Sequence, residues 1–453
     1  MTPRRLLLAG TVGSALLALG ATGAGALPAS GLDLLRDSTA LALALCVIGA
    51  LLLSAAWWGS RQASVRHQLT AAGLWALPLL LAPPLASRDA FAYVGQGALV
   101  AEGLDPYAVG PGALSSSPSG PLVEGVDRVW LDAPAPYGPL WLLLSGLVVR
   151  VTGSLIPALL GMRLLAVLGL VLVAWALPRI AVRHGVPGGR ALWLGLANPL
   201  VLVHLVGGAH NEALMIGLMV AGVAVMGPGL WRPALAAALV TGAVLVKVPA
   251  IAALAYLPLV VPGWPARLRA AGAVAVSAVA TAVLLTLASG LGWGWLTALD
   301  AGRARLSLFS PMTGLGVLLP GGDATLDAVL TLGLLLAVVL GAVLLLLRAD
   351  RLGPVRALGL TLLGVSLLLP VVQPWYVLWG VMLLAAVSSA RVAAALGVTC
   401  LVLVLLIAPS GRSVIRPPLY GVPMLLAVGA GAVVLRRQAP AEARRAPEHT
   451  SAA

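Results

Sequence analysis

The chain has 453 residues, of which 60% are hydrophobic and only 9% are charged, and its formal net charge is +13. Soluble chains carry about 25% charged residues, so this composition excludes an ordinary soluble protein and predicts one embedded in a lipid bilayer. The excess of arginine does not indicate nucleic-acid binding, because the arginines stand mostly in short loops between apolar stretches. Cys46 and Cys400 show neither metal-ligand spacing nor evidence for a disulfide.

Apolar stretches of membrane-spanning length recur along the chain. A span needs about 20 predominantly apolar residues, and the first such stretch, 6–27, follows Arg4 and Arg5. It could be a cleaved signal peptide, but its length and the many spans after it favour a retained helix. Further spans are predicted near 39–58, 69–86, 155–178, 191–206, 209–227, 233–246, 249–262, 270–290, 324–347, 355–371, 374–390, 392–408 and 419–435.

The positive-inside rule orients these spans. Arg4 and Arg5 place the N-terminus in the cytoplasm, and the third span then delivers the segment 87–137 to the extracytoplasmic face. The stretch 138–153 is predicted to be a non-spanning helix at the outer face, because a span there would put the arginines that follow 155–178 outside. The pattern predicts an all-α polytopic transmembrane bundle of about 12–14 spans in the plasma membrane, with both termini cytoplasmic.

The chain divides into three parts on this interpretation. Residues 1–60 form two N-terminal transmembrane helices, and residues 61–436 form the main bundle, including an external loop at 87–137 that carries short surface helices. Residues 437–453 are rich in Ala, Arg, Glu and Pro and are expected to form a disordered cytoplasmic tail.

The external loop 87–137 is the first candidate for a site. It holds six of the fifteen carboxylates in the chain and opens with the sequence Ser-Arg-Asp. Its Asp89 would stand at the membrane surface, where a carboxylate can act as general base on a hydroxyl acceptor beside a lipid-anchored donor. The alternative is that Asp89 only caps a helix.

A second candidate is the outer turn that contains His210, Asn211 and Glu212. Glu212 is the only carboxylate between Asp132 and Asp300, and Lys247 is the only lysine in the chain. Ionisable groups in apolar spans are costly and usually functional, and the predicted topology brings these groups to the same face as the loop. The alternative is a capped helix start and a lysine that reaches to the membrane surface.

Aromatic and basic residues complete the candidate set. Tyrosines of the external loop could stack on sugar rings or simply stiffen a proline-rich cap, and the motif at 373–376 could line a cavity or belong to an aromatic belt. Two external arginines could neutralise a lipid phosphate. The predicted substrate-binding residues are Arg88, Tyr93, Asp105, Tyr107, Tyr137, His210, Asn211, Glu212, Lys247, Arg303, Arg305, Gln373, Trp375 and Tyr376.

Six short motifs in chain order carry a family resemblance. They are Ser-Arg-Asp at 87–89, Gly-Leu-Asp-Pro-Tyr at 103–107, Pro-Ala-Pro-Tyr-Gly-Pro at 134–139, Gly-Ala-His-Asn-Glu at 208–212, Lys-Val-Pro-Ala at 247–250 and Gln-Pro-Trp-Tyr at 373–376. Together they resemble the GT-C superfamily of membrane glycosyltransferases. More closely, they resemble the actinobacterial polyprenol-phosphate-mannose-dependent alpha-1,6-mannosyltransferases, which build the mannan backbone of lipomannan and related lipoglycans.

The resemblance implies a specific reaction. Asp89 would be the catalytic base, the donor would be polyprenyl-phosphate mannose, and mannose would pass with inversion to a lipoglycan or mannooligosaccharide acceptor in an alpha-1,6 linkage. His210, Glu212 and Lys247 would bind the acceptor or the donor phosphate. The chain has no nucleotide-binding fingerprint, in keeping with a lipid donor. No cofactor is demanded, although carboxylates of the loop could hold a divalent cation.

A secondary transporter or flippase of lipid-linked sugars is the main alternative. Glu212, Lys247 and His210 could form a relay within the bundle. Against this stand the carboxylate-rich loop on one face and the absence of a visible inverted repeat. A non-catalytic scaffold would leave the buried ionisable groups without a purpose.

Overall fold

A computed structural model of the protein describes residues 2–26, 35, 38–298, 307–406, 408–411 and 417–437. These residues form helices and connecting segments, with no β-strand among them, which confirms the predicted all-α class. The predicted site residues Arg303 and Arg305 lie outside the described residues, as does the tail after residue 437. The predicted division into three parts stays a prediction.

Sixteen of the described helices have at least eight residues of regular α-helix. The first nine are α1 (Pro3–Ala24), α2 (Thr39–Gly59), α3 (Val65–Leu81), α4 (Asp89–Ala101), α5 (Pro139–Thr152), α6 (Leu155–Arg183), α7 (Gly188–Gly195), α8 (Glu212–Val225) and α9 (Trp231–Val244). The others are α10 (Trp264–Ser289), α11 (Pro311–Leu318), α12 (Gly322–Val343), α13 (Pro354–Leu368), α14 (Leu378–Ala385), α15 (Ala390–Leu405) and α16 (Val422–Arg437).

Shorter helical turns connect these helices. Single α-helical turns lie at Arg128–Leu131, Ile251–Tyr256, Trp295–Ala298 and Ala349–Leu352. The 3₁₀ turns are Pro111–Leu114, Gly120–Val123, Val248–Ala250, Leu257–Val260, Pro374–Val377 and Pro417–Leu419, and the π-helical segments are Val201–Gly207 and Leu344–Arg348.

The long helices have the length and composition of membrane spans. Within the described residues, α1, α2, α6, α10 and the continuous segment Gly322–Leu352 are each long and apolar enough to cross a bilayer. α10 presents most of its apolar side chains outward, with Leu287 73% exposed, as expected of a helix that contacts lipid. The protein is therefore a polytopic membrane protein. A sixth, bent span and several apolar helices of 10–17 residues accompany these, and the count of 12–14 spans stays a prediction.

The predicted span 191–206 is wrong as a continuous helix. α7 ends at Gly195 and the chain resumes as a π-helix at Val201. Pro199 lacks the N–H that a continuous helix needs, and the Asn198 side chain instead accepts a hydrogen bond from the Leu200 N–H at 2.9 Å. The π-helix and α8 then meet at an angle of 112°, so the turn between them, 208–211, projects into the bundle.

The external loop carries short helical turns, as expected, but its first helix lies inside the bundle. α4 is buried along its whole length from Ala90 to Val100. It packs so closely on α5 that a Cβ at Gly97 would lie 2.6 Å from the carbonyl oxygen of Ser145. α4 is enclosed by other helices. Asp89, the first residue of α4, is therefore held where the loop enters the bundle and not at the outer edge of the loop.

Small residues bring α8 equally close to α6. A side chain at Gly169 of α6 would collide with the backbone of Ala213, and one at Gly217 would collide with the backbone of Gly169. Such glycine contacts are typical of helix packing in membranes. They fix the first turn of α8, which begins at Glu212, against a long spanning helix.

Candidate active site

Two neighbouring turns deliver the central side chains. Asp89 follows a turn at Ala86, and His210 follows a turn at Ala209. Ala86 (φ 60°) and Ala209 (φ 54°) are the only non-glycine residues with positive φ in the described part of the chain. The Leu85 N–H donates to the Gly207 carbonyl at 3.2 Å and ties the turns together. Backbone strain of this kind persists only where surrounding structure enforces it, and it concentrates at functional sites.

Glu212 and Lys247 form a buried ion pair. The Lys247 ammonium donates to Glu212 Oε1, and the same oxygen accepts a hydrogen bond from Trp375 Nε1 at 3.0 Å. The Glu212 side chain is fully buried and that of Lys247 is 14% exposed. Lys247 therefore points inward to a partner, in contrast to the alternative of a lysine that reaches to the membrane surface. The sequence predicted these two residues on one face, and the structure pairs them directly.

His210 connects this pair to Asp89. Its Nδ1 lies 3.5 Å from Asp89 Oδ2 and 3.9 Å from Glu212 Oε2. The imidazole is fully buried and stacks on the Trp375 indole, with ring centroids 3.7 Å apart. We call Asp89, His210, Glu212, Lys247 and Trp375 the central cluster.

Asp89 is the exposed member of the central cluster. Its side chain is 23% exposed, whereas those of His210 and Glu212 are fully buried. Desolvation by the surrounding protein raises the pKa of Asp89 to about 6, with the positive charge of Lys247 opposing and the negative charge of Glu212 reinforcing this shift. Asp89 is the first residue of α4, whose N-cap position is Arg88, and its own N–H donates to Ser87 Oγ at 3.1 Å.

Tyrosines line the central cluster. The Lys247 ammonium lies 4.6 Å from the ring centroid of Tyr376 and 5.6 Å from that of Tyr137. Its Nζ also donates to the Tyr376 hydroxyl at 3.3 Å. Tyr93 packs edge-on against Tyr137, and its hydroxyl is 3.5 Å from Asn211 Oδ1. Trp375 and Tyr376 of the motif at 373–376 therefore line the cluster, and the motif does not belong to a peripheral aromatic belt.

The remaining predicted residues lie farther from the cluster or outside the described residues. Asp105 is exposed and accepts from the Tyr107 N–H at 2.8 Å, while the Tyr107 hydroxyl donates to the Tyr137 carbonyl at 3.1 Å. Gln373 is half-buried and its carbonyl accepts from the Tyr376 N–H. Arg88, beside Asp89, donates to the Gly125 carbonyl at 3.2 Å.

Two residues of this region were not predicted from the sequence. His204 is fully buried in the π-helix, and its ring stacks on Trp375 with centroids 4.8 Å apart, 5.9 Å from the ring of His210. Arg163 of α6 is 4% exposed and donates to the carbonyls of Leu80 at 2.9 Å and Gly207 at 3.1 Å. Both are ionisable residues within apolar runs, and this signal was available in the sequence.

The described residues contain no group of three His, Cys, Asp or Glu side chains arranged to hold a metal ion. The carboxylates of the loop are dispersed, and Lys247 already supplies a positive charge to Glu212. The divalent cation therefore stays a prediction. The central cluster itself offers one accessible carboxylate with a raised pKa beside a buried, charge-balanced pair, an arrangement suited to proton abstraction from a bound hydroxyl.

Two family models together match most of the chain. One is described as alpha-(1->6)-mannopyranosyltransferase, N-terminal domain, and matches residues 7–263. The other is described as MptB C-terminal domain and matches residues 308–437. The central cluster lies across both, with Trp375 in the second matched region. No solved structure is detectably similar to the chain.

Curated relatives agree with the family models. An alpha-(1->6)-mannopyranosyltransferase of Mycobacterium tuberculosis is 36% identical over 464 residues, covering 84% of this chain and 78% of the relative. A probable alpha-(1->6)-mannopyranosyltransferase of Mycolicibacterium smegmatis is 34% identical, with coverages of 85% and 79%. Alpha-(1->6)-mannopyranosyltransferase B of Corynebacterium glutamicum is 30% identical, with coverages of 84% and 72%. These relatives confirm the resemblance drawn from the six motifs: the chain belongs to the alpha-(1->6)-mannopyranosyltransferase family and is a hexosyltransferase.

Proposed function

We propose that the protein transfers mannose from polyprenyl-phosphate mannose to a mannan or lipoglycan acceptor, with inversion, on the extracytoplasmic face of the plasma membrane. The mannose and the alpha-(1->6) linkage are supported by the names of the curated relatives. The lipid donor is supported by the membrane-embedded fold and by the motif resemblance. The transporter alternative loses its support, because the relatives are named as transferases.

Asp89 is the proposed general base, and its contrast with Glu212 carries this proposal. Glu212 is fully buried, and its Oε1 is bonded to both Lys247 and Trp375, so an acceptor hydroxyl has no access to it. Asp89 is partly exposed and has its pKa raised to about 6. A carboxylate with a raised pKa is a stronger base that remains largely deprotonated at neutral pH.

The proposed reaction is a single displacement. The 6-hydroxyl oxygen of the acceptor attacks C1 of the donor mannose, forming the new C–O bond as the bond from C1 to the phosphate oxygen breaks. The hydroxyl proton passes to Asp89, and the bonding electron pair leaves with the polyprenyl phosphate. Attack opposite the leaving group inverts the anomeric centre from beta to alpha.

The other members of the cluster would bind and orient the reactants. Lys247, whose charge acts on Asp89, and Arg88, next to Asp89 in the chain, would stabilise the negative charge that develops on the leaving phosphate. Tyr93 and Tyr137 are 0% and 4% exposed, so they would support the cluster rather than offer a free ring face to the sugar. His210, at 3.5 Å from Asp89, would hold the carboxylate in position. Arg303 and Arg305 remain proposed phosphate contacts.

The charge distribution supports an extracytoplasmic site. Arg61 and Arg66 precede or begin α3, whereas Asp89 follows its end, so they lie at opposite ends of that helix. Arg190 and Arg391 likewise stand at the helix ends remote from His210 and Trp375. Arginine-rich ends face the cytoplasm under the positive-inside rule, which directs the central cluster to the other side.

The experiment is transfer of labelled mannose from synthetic polyprenyl-phosphate mannose to a mannose-containing acceptor by purified protein. We expect Asp89→Asn to lower the rate by about 10²–10⁴-fold, the usual contribution of a positioned general base. Glu124→Gln is the matched control, because Glu124 is an exposed carboxylate of the same loop outside the cluster, and it should retain full activity.

Two results would contradict the proposal. Transfer by folded Asp89→Asn at near the wild-type rate would mean that another group accepts the proton. No transfer by the folded wild type from polyprenyl-phosphate mannose, with transfer from a nucleotide-linked mannose instead, would refute the lipid donor.

A further inference from the structure

A cavity lies at the opposite end of the bundle from the central cluster. Its volume is about 730 Å³, within the range of small-molecule binding sites. The mechanism makes no use of it. We call it the basic cavity, and the lining residues that matter to the argument are Trp58, Arg61, Ser64, Arg190, Trp193 and Arg391.

The distance between the two sites follows from α3. The helix begins at Val65, beside the basic cavity, and ends at Leu81, shortly before Asp89. A helix of that length rises about 25 Å, close to the hydrocarbon thickness of a bilayer. The basic cavity therefore cannot contribute side chains to the central cluster.

The lining is positively charged without compensation. It includes three arginines and no carboxylate, and no carboxylate of the described residues pairs with any of the three. Each guanidinium donates one bond to a backbone carbonyl: Arg61 to Trp58 at 3.2 Å, Arg190 to Ser388 at 3.0 Å and Arg391 to Leu435 at 2.6 Å. Guanidinium groups carry five N–H donors, so these bonds orient the arginines and leave donors for an anion.

Three helix N-termini also meet at this cavity. α3, α7 and α15 begin beside it, and residues of each start contribute to its wall: Ser64, Gly189 and Arg391. The N-terminus of a helix carries partial positive charge, which favours anions, although Ser64 and Ser389 each cap one first-turn N–H of α3 and α15. Helix starts and arginines that converge on one cavity are stronger evidence for an anion site than either feature alone.

An aromatic wall completes the site. Trp193 is fixed by stacking on Trp57 with ring centroids 4.4 Å apart, and its Nε1 donates to the Trp57 carbonyl at 2.9 Å. Trp58 meets Trp193 edge-on at 5.8 Å. The cavity thus combines a rigid apolar surface with a ring of cations, a combination that suits an anionic head carrying an apolar body.

We propose that the basic cavity binds a phosphate-bearing ligand, with its phosphate among Arg61, Arg190 and Arg391 and its apolar part against Trp58 and Trp193. Basic pockets between transmembrane helices are known to take lipid head groups, and a soluble phosphate ester offers the same chemistry. The positive-inside rule accounts for arginines in these loops, but it does not account for their convergence on one cavity. The inference is independent of the donor used at the central cluster.

The test measures binding of dioctanoyl phosphatidic acid and of glycerol 3-phosphate to the purified full chain in a nonionic detergent at fixed ionic strength. Dioctanoylglycerol, which lacks the phosphate, is the reference ligand. Arg61→Gln should weaken phosphatidic acid binding about tenfold, the usual worth of one charge-assisted hydrogen bond. Arg190→Gln should also weaken phosphatidic acid binding, but the bond from Arg190 to the Ser388 carbonyl supports the fold as well. Arg61 is exposed, so Arg61→Gln is the decisive variant.

Arg66→Gln is the matched control, because Arg66 is exposed in the first turn of α3 and lies outside the cavity lining. It should leave binding unchanged. Equal losses in Arg61→Gln and Arg66→Gln, or equal binding of dioctanoylglycerol, would overturn the proposal. If glycerol 3-phosphate binds as tightly as phosphatidic acid, the site is supported and its ligand is soluble. If glycerol 3-phosphate binds much more weakly than phosphatidic acid, the site is supported and its ligand is a lipid.

Discussion

Replacing Lys247 with Met tests the physical basis of the central cluster. Methionine has a similar length but no charge, so the substitution removes the cation from a carboxylate that is fully buried. Glu212 Oε1 would keep its bond from Trp375 Nε1 at 3.0 Å, but Oε2 has no hydrogen-bond partner among the described residues. The remaining protein therefore cannot replace what Lys247 supplies.

The expected loss of unfolding free energy is about 3–5 kcal/mol, the usual cost of breaking a buried ion pair from one side. Adding Glu212→Gln should recover part of it, because a neutral amide at that position can still accept from Trp375 and carries no buried charge. We expect the double variant to be about 2 kcal/mol more stable than Lys247→Met alone, a coupling typical of residues in direct contact.

The free energies can be measured by reversible unfolding in mixed micelles with increasing sodium dodecyl sulfate. Arg66→Met serves as the reference, since removal of an exposed cation should change stability by no more than about 0.5 kcal/mol. If Lys247→Met cost no more than Arg66→Met, or if the two cluster substitutions were additive, Lys247 would be behaving as a solvated lysine and the charge-balance argument would be refuted.

Two further outcomes follow from the same geometry. A base with a pKa of about 6 works only when deprotonated, so kcat/KM should fall about tenfold per pH unit below pH 6 and level off above it. In any active Lys247→Met protein the pH profile should move to higher pH, because Lys247 lowers the pKa of Asp89. An unmoved profile would exclude Asp89 as the titrating group. Trp375→Phe should lower the free energy of unfolding by about 1.5–3 kcal/mol, because it loses the hydrogen bond to the charged Glu212. Trp379→Phe should lower it less, since the Trp379 Nε1 has no hydrogen-bond partner among the described residues. Equal losses would show that the bond to Glu212 contributes nothing.

The central cluster was largely predictable because placing its ionisable side chains in apolar surroundings costs free energy. A single lysine and an isolated glutamate in apolar surroundings need a reason to be there, and the positive-inside rule was enough to bring Glu212, Lys247 and Asp89 to one face of the membrane. The structure then has Glu212 paired with Lys247 and Asp89 at 3.5 Å from His210. The charge of each residue and the orientation of each span can be inferred from the order of residues along the chain, without knowing how the helices pack.

The course of the backbone was harder to predict, because hydropathy reports how apolar a segment is and not whether it is straight. The run 191–206 is apolar throughout, yet Pro199 divides it. α4 follows a polar-looking turn, yet it is buried, since its glycines allow close contact with neighbouring helices. His204 and Arg163 were overlooked for a related reason: each sits in an apolar run whose neighbours in space are remote in sequence.

These overlooked features explain how the site keeps its shape. Arg163 holds the end of α3 through Leu80 and the end of the π-helix through Gly207, and these two ends lead directly into the turns before Asp89 and His210. Positive φ values at Ala86 and Ala209 are unfavourable locally, so the turns depend on such tertiary bonds to persist. A buried arginine in a spanning helix that carries neither residue thus helps to hold the turns before Asp89 and His210 together, beside the bond from the Leu85 N–H to the Gly207 carbonyl. A site assembled in this way can keep its geometry only while the surrounding bundle stays packed, which is why its least accessible residues matter as much as the carboxylate that meets the acceptor.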